Sequence, residues 1–366
     1  MTDALDATLE AEPFRRAQAY ASVGVPPSVS PCLRGYHRGM KVLVLRGGPD
    51  RERPVSLMSG ANVAEALRAS GHDVREADVG PDDLAALDAF AEWGGEAVFP
   101  VLHGKWGEGG PLQQALETRG LRYVGSGPEA ARRCMDKADT KRRFDAAGVP
   151  TPAWGVVRPG DPLPVEPPVV VKALDEGSSF AMAICPDAAA ADAARRELAP
   201  HGPLLVERFI TGRELTVAVV APDVLTAAGE GRGLDADIDA NGDADADGDA
   251  DAPVALPTIE IVPAEGFYDF DAKYHRNDTR YVFDSDPSAS ARRRLDALAV
   301  RAFTELGVRD LARVDFMLDG DGEPWALEVN TMPGFTGHSL LPMAAARAGV
   351  QLPTLCDRLV RRAAGR

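Results

Sequence analysis

The chain has 366 residues, with 40 lysines and arginines against 56 aspartates and glutamates, and a formal net charge of −16. This length exceeds one ordinary domain and indicates two or three. With 45% hydrophobic and 26% charged residues, the composition is that of a globular protein and excludes wholesale disorder. The acidic balance argues against nucleic acid or an anionic membrane surface as the main partner.

The cysteines and the hydropathy pattern indicate in which cellular compartment the protein is expected. The four cysteines lie far apart and form no C-x-x-C pair, so we expect neither a disulfide framework nor a zinc site. The chain contains no apolar run of about 18 residues, the length that would predict a transmembrane helix. Its acidic N-terminus lacks the apolar core of a secretory signal. These features predict a cytoplasmic protein.

Residues 1–39 show little periodicity and include the proline-rich stretch VGVPPSVSP, so we expect a loosely ordered extension. Met40 directly precedes the first predicted strand, and a translation start at this methionine is a hypothesis. Peptides from residues 1–39 in the mass spectrum of the native protein would contradict it.

Residues 40–125 predict an N-terminal domain with an open parallel sheet. Apolar runs predict three strands, at 42–45, 73–77 and 97–102. A helix precedes the second strand, and another helix, over 82–93, precedes the third. This alternation is typical of a parallel sheet, in which ligands bind at the carboxyl ends of the strands. Gly47-Gly48 and His103-Gly104 follow two of these ends.

Residues 126–207 and 208–366 predict two further domains of α+β type, which makes the whole chain an α/β composite. A helix over 137–147 is expected to begin after Asp136 as its N-cap and to end before Gly148. The other predicted elements are strands at 169–172, 204–207, 215–220 and 258–262, helices at 188–198, 289–306 and 339–348, and a hairpin of 313–318 with 324–329. A basic segment ends the chain.

An acidic insertion lies at about residues 229–253, between two predicted strands. It holds eight aspartates and one glutamate against one arginine, which is half of the excess negative charge. Its repeat from Asp237 to Asp245 resembles the start of an EF-hand calcium loop. Gly248 occupies the twelfth position, where a glutamate is required, and no flanking helices are predicted. We therefore prefer a solvated loop to a calcium site.

The predicted hairpin carries a candidate magnesium site. Glu328 and Asn330 are two residues apart and share one strand face, and Asp315 joins them if the strands pair through the Asp-Gly turn. Hard oxygen ligands suit Mg²⁺, which takes the rest of its shell from phosphates and water. Arg313 lies on the same face and is a candidate to hold a developing anion. A solvated face with ordinary ion pairs is the alternative.

Three loops carry weaker candidates. Lys172 ends a buried strand before a loop of acidic and small residues that suits phosphate binding, although such a loop taken alone is more often a mobile turn. Lysine is scarce here, at 6 of 40 basic residues, so each lysine is more often functional than usual. Glu207 and Glu214 flank a glycine turn that suits an adenine and a ribose, or are surface acids. Glu52, after Gly47-Gly48, is placed to hold a substrate ammonium, unless it is merely solvated.

Taken together, these motifs resemble those of ATP-grasp enzymes, and specifically those of the D-alanine–D-alanine ligase family, over residues 40–356. The motifs are Gly47-Gly48 with Glu52-Arg53 and Val55-Ser56-Leu57; His103-Gly104 with Gly107-Glu108; Gly125-Ser126-Gly127; Met135-Asp136-Lys137; Val171-Lys172 with Glu176-Gly177-Ser178-Ser179; Phe267-Tyr268-Asp269 with Ala272-Lys273-Tyr274; Arg313-Val314-Asp315; and Glu328-Val329-Asn330-Thr331 with Pro333-Gly334 and His338-Ser339-Leu340. The resemblance implies that the two later domains are ATP-grasp domains.

The resemblance further implies how ATP is bound. The residues assigned to it are Lys137, Lys172 and Ser179 at the phosphates, Glu207, Phe209 and Ile210 at the adenine, Glu214 at the ribose, and Lys273 at the γ-phosphate. Asp315, Glu328 and Asn330 would hold two Mg²⁺ ions, which Mn²⁺ can replace.

The same resemblance implies that two D-alanines are joined for peptidoglycan synthesis through a D-alanyl phosphate. Glu52 would bind the first ammonium, His103 would line that site, and Arg313 would stabilise the tetrahedral oxyanion. The residues assigned to the second D-alanine are Gly334, Ser339 and Leu340. Ser178 and Tyr274 would form the hydrogen-bonded pair that joins the closing loop to Glu52. The family resemblance also implies a homodimer.

The chain departs from the family pattern in two loops. Gly109 stands where the family has an aspartate, and Ala173 and Phe180-Ala181 replace Pro and Val-Gly near the phosphate loop. These changes bear on loop geometry and substrate size. Two alternative functions follow: a ligase of a different amino-acid pair, and a nucleotide-binding regulator without turnover.

Overall fold

Three β-sheets organise the part of the chain that the computed structural model describes, which is residues 38–158, 160–177, 180–225, 252–264, 278–283 and 288–366. Nearly all of the predicted extension over 1–39 and of the acidic insertion lies outside these residues. The mixed α/β class predicted from the sequence is confirmed. The domain limits at 125 and 207 stay a prediction.

The first sheet is parallel, as predicted, and its strand order is β2-β1-β3. Its strands are β1 (Lys41–Gly47), β2 (Asp73–Val79) and β3 (Ala97–Pro100), and helix α1 (Arg53–Ala69) connects the first two. The prediction of a single helix over 82–93 was wrong, because the structure has two short helices there, α2 (Ala85–Asp88) and α3 (Phe90–Trp93). Ala89 joins them: its N–H donates to Ala85 and its carbonyl accepts from Trp93.

Four helices lead from this sheet to the next one. They are α4 (Gly104–Gly107), α5 (Pro111–Thr118), α6 (Pro128–Met135) and α7 (Lys137–Ala147). Helix α7 has the predicted bounds, because the Asp136 carboxylate accepts from the N–H groups of Ala138 and Asp139, and Gly148 adopts a left-handed φ of 66°. This cap fixes the direction in which Lys137 leaves the helix start.

The second sheet is antiparallel, in the order β4-β7-β5-β6. Its strands are β4 (Trp154–Val157), β5 (Val169–Ala173), β6 (Met182–Cys185) and β7 (Leu204–Arg208). Helix α8 (Ala188–Leu198) covers one face, where Ala191, Ala194 and Leu198 join Val169 and Val171 of β5 in a buried cluster. The other face is left to the large cavity described below.

The third sheet has six strands, in the order β11-β10-β8-β12-β13, with β9 paired to β8. They are β8 (Gly212–Val220), β9 (Val254–Ala255), β10 (Ile259–Val262), β11 (Arg280–Val282), β12 (Leu311–Asp319) and β13 (Pro324–Asn330), accompanied by helices α9 (Pro222–Leu225) and α10 (Ala289–Glu305). The predicted hairpin is formed by β12 and β13. Buried Leu295, Ala299 and Phe303 of α10 pack on this sheet.

The last two helices, α11 (Leu340–Arg347) and α12 (Leu352–Ala364), close the core beside the first sheet. The sequence predicted only a basic segment after residue 348, and this was wrong. Leu355, Leu359 and Ala363 recur every four residues and are fully buried, while the arginines lie on the other faces. Among the described residues, no helix combines the length and apolarity needed to cross a bilayer.

We expect that Ser56→Ala lowers the free energy of unfolding by about 1–3 kcal/mol, the usual cost of leaving a buried polar group unpaired. The Ser56 hydroxyl is fully buried, donates to the Val101 carbonyl and accepts from the Gly47 N–H at 2.9 Å. It thereby ties α1 to the ends of two strands. Urea denaturation measures the change, with the exposed Thr118→Ala as the control. Equal effects of the two substitutions would contradict this role.

Candidate active site

Two cavities adjoin in the interior of the described chain. The larger one, of about 590 Å³, lies between the second and third sheets. The smaller one, of about 120 Å³, lies between the loops after β1 and β3 and the end of β13. Lys137, Glu176 and Glu328 line both cavities and so form their common wall. A volume near 600 Å³ is typical of a pocket for a nucleotide-sized ligand.

The β12–β13 hairpin carries the candidate metal ligands. Its register pairs Arg313 with Asn330 and Asp315 with Glu328, so all four share one face, as the sequence predicted. A β-bulge follows Asp315, since Phe316 pairs with Ala326 and leaves Leu327 as the extra residue. Glu328 lines both cavities. The bulge therefore lies directly beside Glu328, whose side chain is part of the common wall.

Arg313 forms a two-pronged ion pair with Asp315, with Nε–Oδ1 and Nη2–Oδ2 distances of 2.9 Å each. The Thr216 hydroxyl donates to the same carboxylate at 2.6 Å. Asn330 Oδ1 accepts from the Met332 N–H. No cluster of three histidine, cysteine or acidic side chains suited to a metal occurs in the described ranges. The predicted set is of a different kind, with two carboxylates and one amide, and its hard oxygens fit Mg²⁺ when phosphates complete the shell.

Lys172 and Glu207 lie at the inner end of the large cavity. Lys172 pairs with Leu205 in the β5–β7 register, so Glu207, two residues further on, shares its face. The Lys172 Nζ lies 2.5 Å from Glu207 Oε1, and the Lys141 Nζ lies 2.6 Å from Oε2. Burial opposes ionisation of Glu207, but the two ammonium groups outweigh it and hold the pKa of this carboxyl at about 2. Glu207 is therefore an anion held by two cations.

Lys137, the first residue of α7, is buried in the common wall. Its Nζ donates to the Glu176 carbonyl at 2.7 Å and lies 3.9 Å from Glu328 Oε2. Burial lowers the pKa of Lys137, against the opposing charge of Glu328. The ammonium thus lies between the loop after β5 and Glu328, one of the candidate metal ligands.

The outer part of the large cavity is formed where the chain leaves β7. Phe209, Ile210 and Glu214 line it, together with apolar side chains of β6 and β10. The Phe209 N–H donates to the Pro168 carbonyl, which fixes the backbone at this exit. Phe209, Ile210 and Glu214 are therefore brought together on one wall, whereas Glu207, which was also assigned to the adenine, is held by Lys172 and Lys141.

The small cavity gathers the predicted amino-acid-binding residues. Glu52, His103, Arg313, Gly334, Ser339 and Leu340 all line it. The Ser339 hydroxyl accepts from the Thr336 N–H at 2.9 Å. A Cβ at Gly334 would lie 2.8 Å from that hydroxyl oxygen, so glycine is required here for the close approach.

Glu108 and His103 are two of the buried polar groups that line this cavity. Glu108 Oε1 accepts from the Gly104 N–H at 3.1 Å. Burial raises the pKa of Glu108 well above its ordinary value, and the charge of Glu52 adds to the shift. Burial also lowers the pKa of His103. Within the described part of the chain, Glu108 Oε2 and His103 Nε2 have no hydrogen-bond partner. Burial therefore favours the uncharged form of both groups, which line the small cavity.

The departures from the family pattern have structural counterparts. A Cβ at Gly109 would lie 2.4 Å from the Lys105 carbonyl oxygen, so the backbone here accommodates only glycine without a shift. The Phe180 ring lies 5.4 Å from the Arg51 guanidinium carbon, and Lys105 forms an ion pair with Asp175. These two contacts join the loops of the first sheet to the loop after β5.

Four predicted site residues, Ser178, Ser179, Lys273 and Tyr274, lie outside the described residues, and so does the motif from Phe267 to Asp269. Sequence reasoning also gave no role to two groups that the structure brings to the site. Glu108 was noted only as part of a motif. Lys141 had no motif at all, and only the scarcity of lysine pointed to it.

Comparison with known proteins gives consistent results. A family model described as the D-ala D-ala ligase C-terminus matches residues 247–361. The D-alanine–D-alanine ligase of Bordetella parapertussis is 42% identical over 332 residues, which covers 88% of this chain and 95% of that protein. The enzyme of Hydrogenovibrio crunogenus is 39% identical over 326 residues, covering 87% and 93% respectively.

Solved structures show the same likeness. The D-alanine–D-alanine ligase of Coxiella burnetii aligns with a TM-score of 0.69 and 24% identity, over 89% of this chain and 94% of that chain. The ligase of Bacillus anthracis, solved in complex with ATP, aligns with a TM-score of 0.68 and 25% identity, over 89% and 97%.

Proposed function

The chain belongs to the D-alanine–D-alanine ligase family of ATP-dependent enzymes, and from this premise we propose how its two cavities divide the reaction. The large cavity takes ATP, and the small cavity takes the D-alanine that is activated first. The observation that carries the proposal is the common wall of Lys137, Glu176 and Glu328. A γ-phosphate at this wall lies next to an amino acid in the small cavity.

In the large cavity, Lys172 and Lys137 lie at the inner end, whereas Phe209 and Ile210 lie where the chain leaves β7. Lys172 and Lys137 attract the phosphates as point charges. Phe209 and Ile210 present backbone and apolar surface to the adenine, and Glu214 accepts from the ribose. By the family resemblance, Ser179 adds a phosphate contact and Lys273 reaches the γ-phosphate. This direction of binding places the triphosphate toward the small cavity.

In the first step, a carboxylate oxygen of D-alanine attacks the γ-phosphorus. A new O–P bond forms, the bond to ADP breaks, and D-alanyl phosphate results. Glu52, buried at the start of α1, pairs with the substrate ammonium. His103, which is kept neutral by burial, contacts the same amino acid without adding charge. The protein contributes positioning and charge stabilisation, which is what phosphoryl transfer requires.

In the second step, the amine of the other D-alanine attacks the acyl carbon. A C–N bond forms, the C–O bond to phosphate breaks, and the proton lost by the amine leaves with the phosphate. Arg313 stabilises the oxyanion of the tetrahedral intermediate, and Asp315 holds its guanidinium in place. Gly334, Ser339 and Leu340 bind the carboxylate of the second D-alanine. By the family resemblance, Ser178 and Tyr274 would join the closing loop to Glu52.

Asp315, Glu328 and Asn330 would hold two Mg²⁺ ions, which neutralise phosphate charge and orient the triphosphate. Mn²⁺, with the same preference for oxygen, can replace them. A homodimer, implied by the family resemblance, is part of the same proposal.

We expect phosphate release from ATP to be stimulated by D-alanine and not by L-alanine, with D-alanyl-D-alanine as the product. D-Serine and D-lactate test the second site, because the amine is the better nucleophile and D-lactate offers only a hydroxyl. Phosphate release and mass spectrometry of the product measure the outcome. ATP turnover that ignores D-alanine but follows another amino acid would instead support a ligase of a different pair.

A further inference from the structure

Lys141 lies one turn after Lys137 on α7 and is completely buried. Its Nζ forms the ion pair with Glu207 Oε2 and donates to the Thr151 hydroxyl at 2.6 Å. Lys141 is absent from the described residues that line the two cavities. Any effect of this ammonium on a bound ligand must therefore pass through its neighbours.

The effect of Lys141 on a bound ligand follows from the charges of Glu207 and Lys172 beside it. Glu207 bears one negative charge between Lys141 and Lys172, so the three side chains carry a net charge of +1. Without Lys141, the remaining pair of Lys172 and Glu207 would be neutral. Lys172 would then be engaged by a carboxylate 2.5 Å away, with no charge left over for a phosphate.

The second contact of Lys141 leads to the strand that carries Glu328. The Thr151 hydroxyl donates to the Ala326 carbonyl at 2.7 Å, and the Ala326 N–H donates to the Pro150 carbonyl at 2.7 Å. Both hydrogen bonds clamp β13 next to its bulge at Leu327. Lys141 thus holds Glu207 directly and supports, through Thr151, the bend that precedes Glu328.

We propose that Lys141 is a positioning residue of the nucleotide site, which neutralises Glu207 so that the charge of Lys172 stays available to a polyphosphate. The inference rests on the proposed use of the large cavity for ATP. A buried lysine is costly to maintain, since burial itself favours its neutral form. Its two short polar contacts, one of them ionic, offset that cost.

The test compares the affinities for ADP and for adenosine by calorimetry. We expect Lys141→Met to weaken ADP about 10- to 100-fold, the range for a lost charge-assisted contact, and to affect adenosine much less. The KM for ATP should rise while the KM for D-alanine stays near wild type. Lys141→Arg, which keeps the charge, should retain most of the preference for ADP. Lys41→Met, on β1 and remote from both cavities, is the matched control.

A double variant separates charge from packing. Lys141→Met with Glu207→Gln restores a net charge of +1 through Lys172, so the ADP-to-adenosine affinity ratio should recover toward wild type. A ratio in the double variant no better than in Lys141→Met would overturn the inference, as would an unchanged ratio in Lys141→Met. Failure of the wild-type protein to bind ADP would instead contradict the proposed function. Thermal denaturation confirms that each variant folds. If Lys141→Met does not fold, the affinity ratios of the double variant and of Lys141→Arg test the inference instead.

Discussion

Replacement of Arg313 by methionine is expected to lower kcat about 10²- to 10³-fold, the usual effect of removing one group that stabilises an oxyanion. The KM for ATP should change little, because Arg313 lines the small cavity and not the large one. Single-turnover and steady-state assays of phosphate and dipeptide formation measure both quantities. Arg313→Lys keeps the charge but loses the planar fork that pairs with Asp315, so its kcat should fall between those of Arg313→Met and the wild type.

A control variant and a measurement of Mn²⁺ binding distinguish the role of Arg313 from a general effect of losing an arginine. Arg294→Met removes an exposed arginine that pairs with Glu323 near the same hairpin, and it should leave kcat unchanged. In Arg313→Met the Asp315 carboxylate loses a cation, so Mn²⁺ binding should be at least as tight as in the wild type. A kcat within threefold of wild type in Arg313→Met would show that another group stabilises the intermediate.

Replacement of Glu328 by glutamine is expected to abolish ATP-dependent condensation, with a loss of at least about 10²-fold in turnover. The amide retains the shape of the side chain but removes the negative charge that attracts a divalent cation. Glu328 also borders both cavities, so its loss acts at the point where the phosphoryl group is transferred. Electron paramagnetic resonance of Mn²⁺ with a non-hydrolysable ATP analogue measures the metal affinity directly.

The substitutions of Glu328 and Arg313 should differ in their effect on metal binding. Glu328→Gln should lose both metal binding and turnover, whereas Arg313→Met should lose turnover alone. Glu323→Gln, an exposed acid at the turn of the same hairpin, is the control and should lose neither. Unchanged turnover in Glu328→Gln would overturn the metal assignment.

Local chemistry explains why much of the fold was predictable. Helix α7 begins and ends where Asp136 and Gly148 predict, because a cap and a left-handed glycine act on the nearest turn only. The face shared by Asp315 and Glu328 followed from the period of a strand and from a tight turn. Helix α12 was not predicted although its leucines recur at helical spacing, because the arginines between them favoured the interpretation as a basic segment.

The sequence by itself determined the family and the mixed α/β class, since motifs and periodicity are properties of neighbouring residues. Only the tertiary structure decided where each chemical group lies relative to the two cavities. Lys141 and Lys172 are both lysines of an acidic chain, yet Lys172 borders the large cavity and Lys141 is sealed behind Glu207. Their difference arises when the Lys141 side chain of α7 reaches Glu207 of β7, and burial of this kind depends on residues that are distant in the sequence.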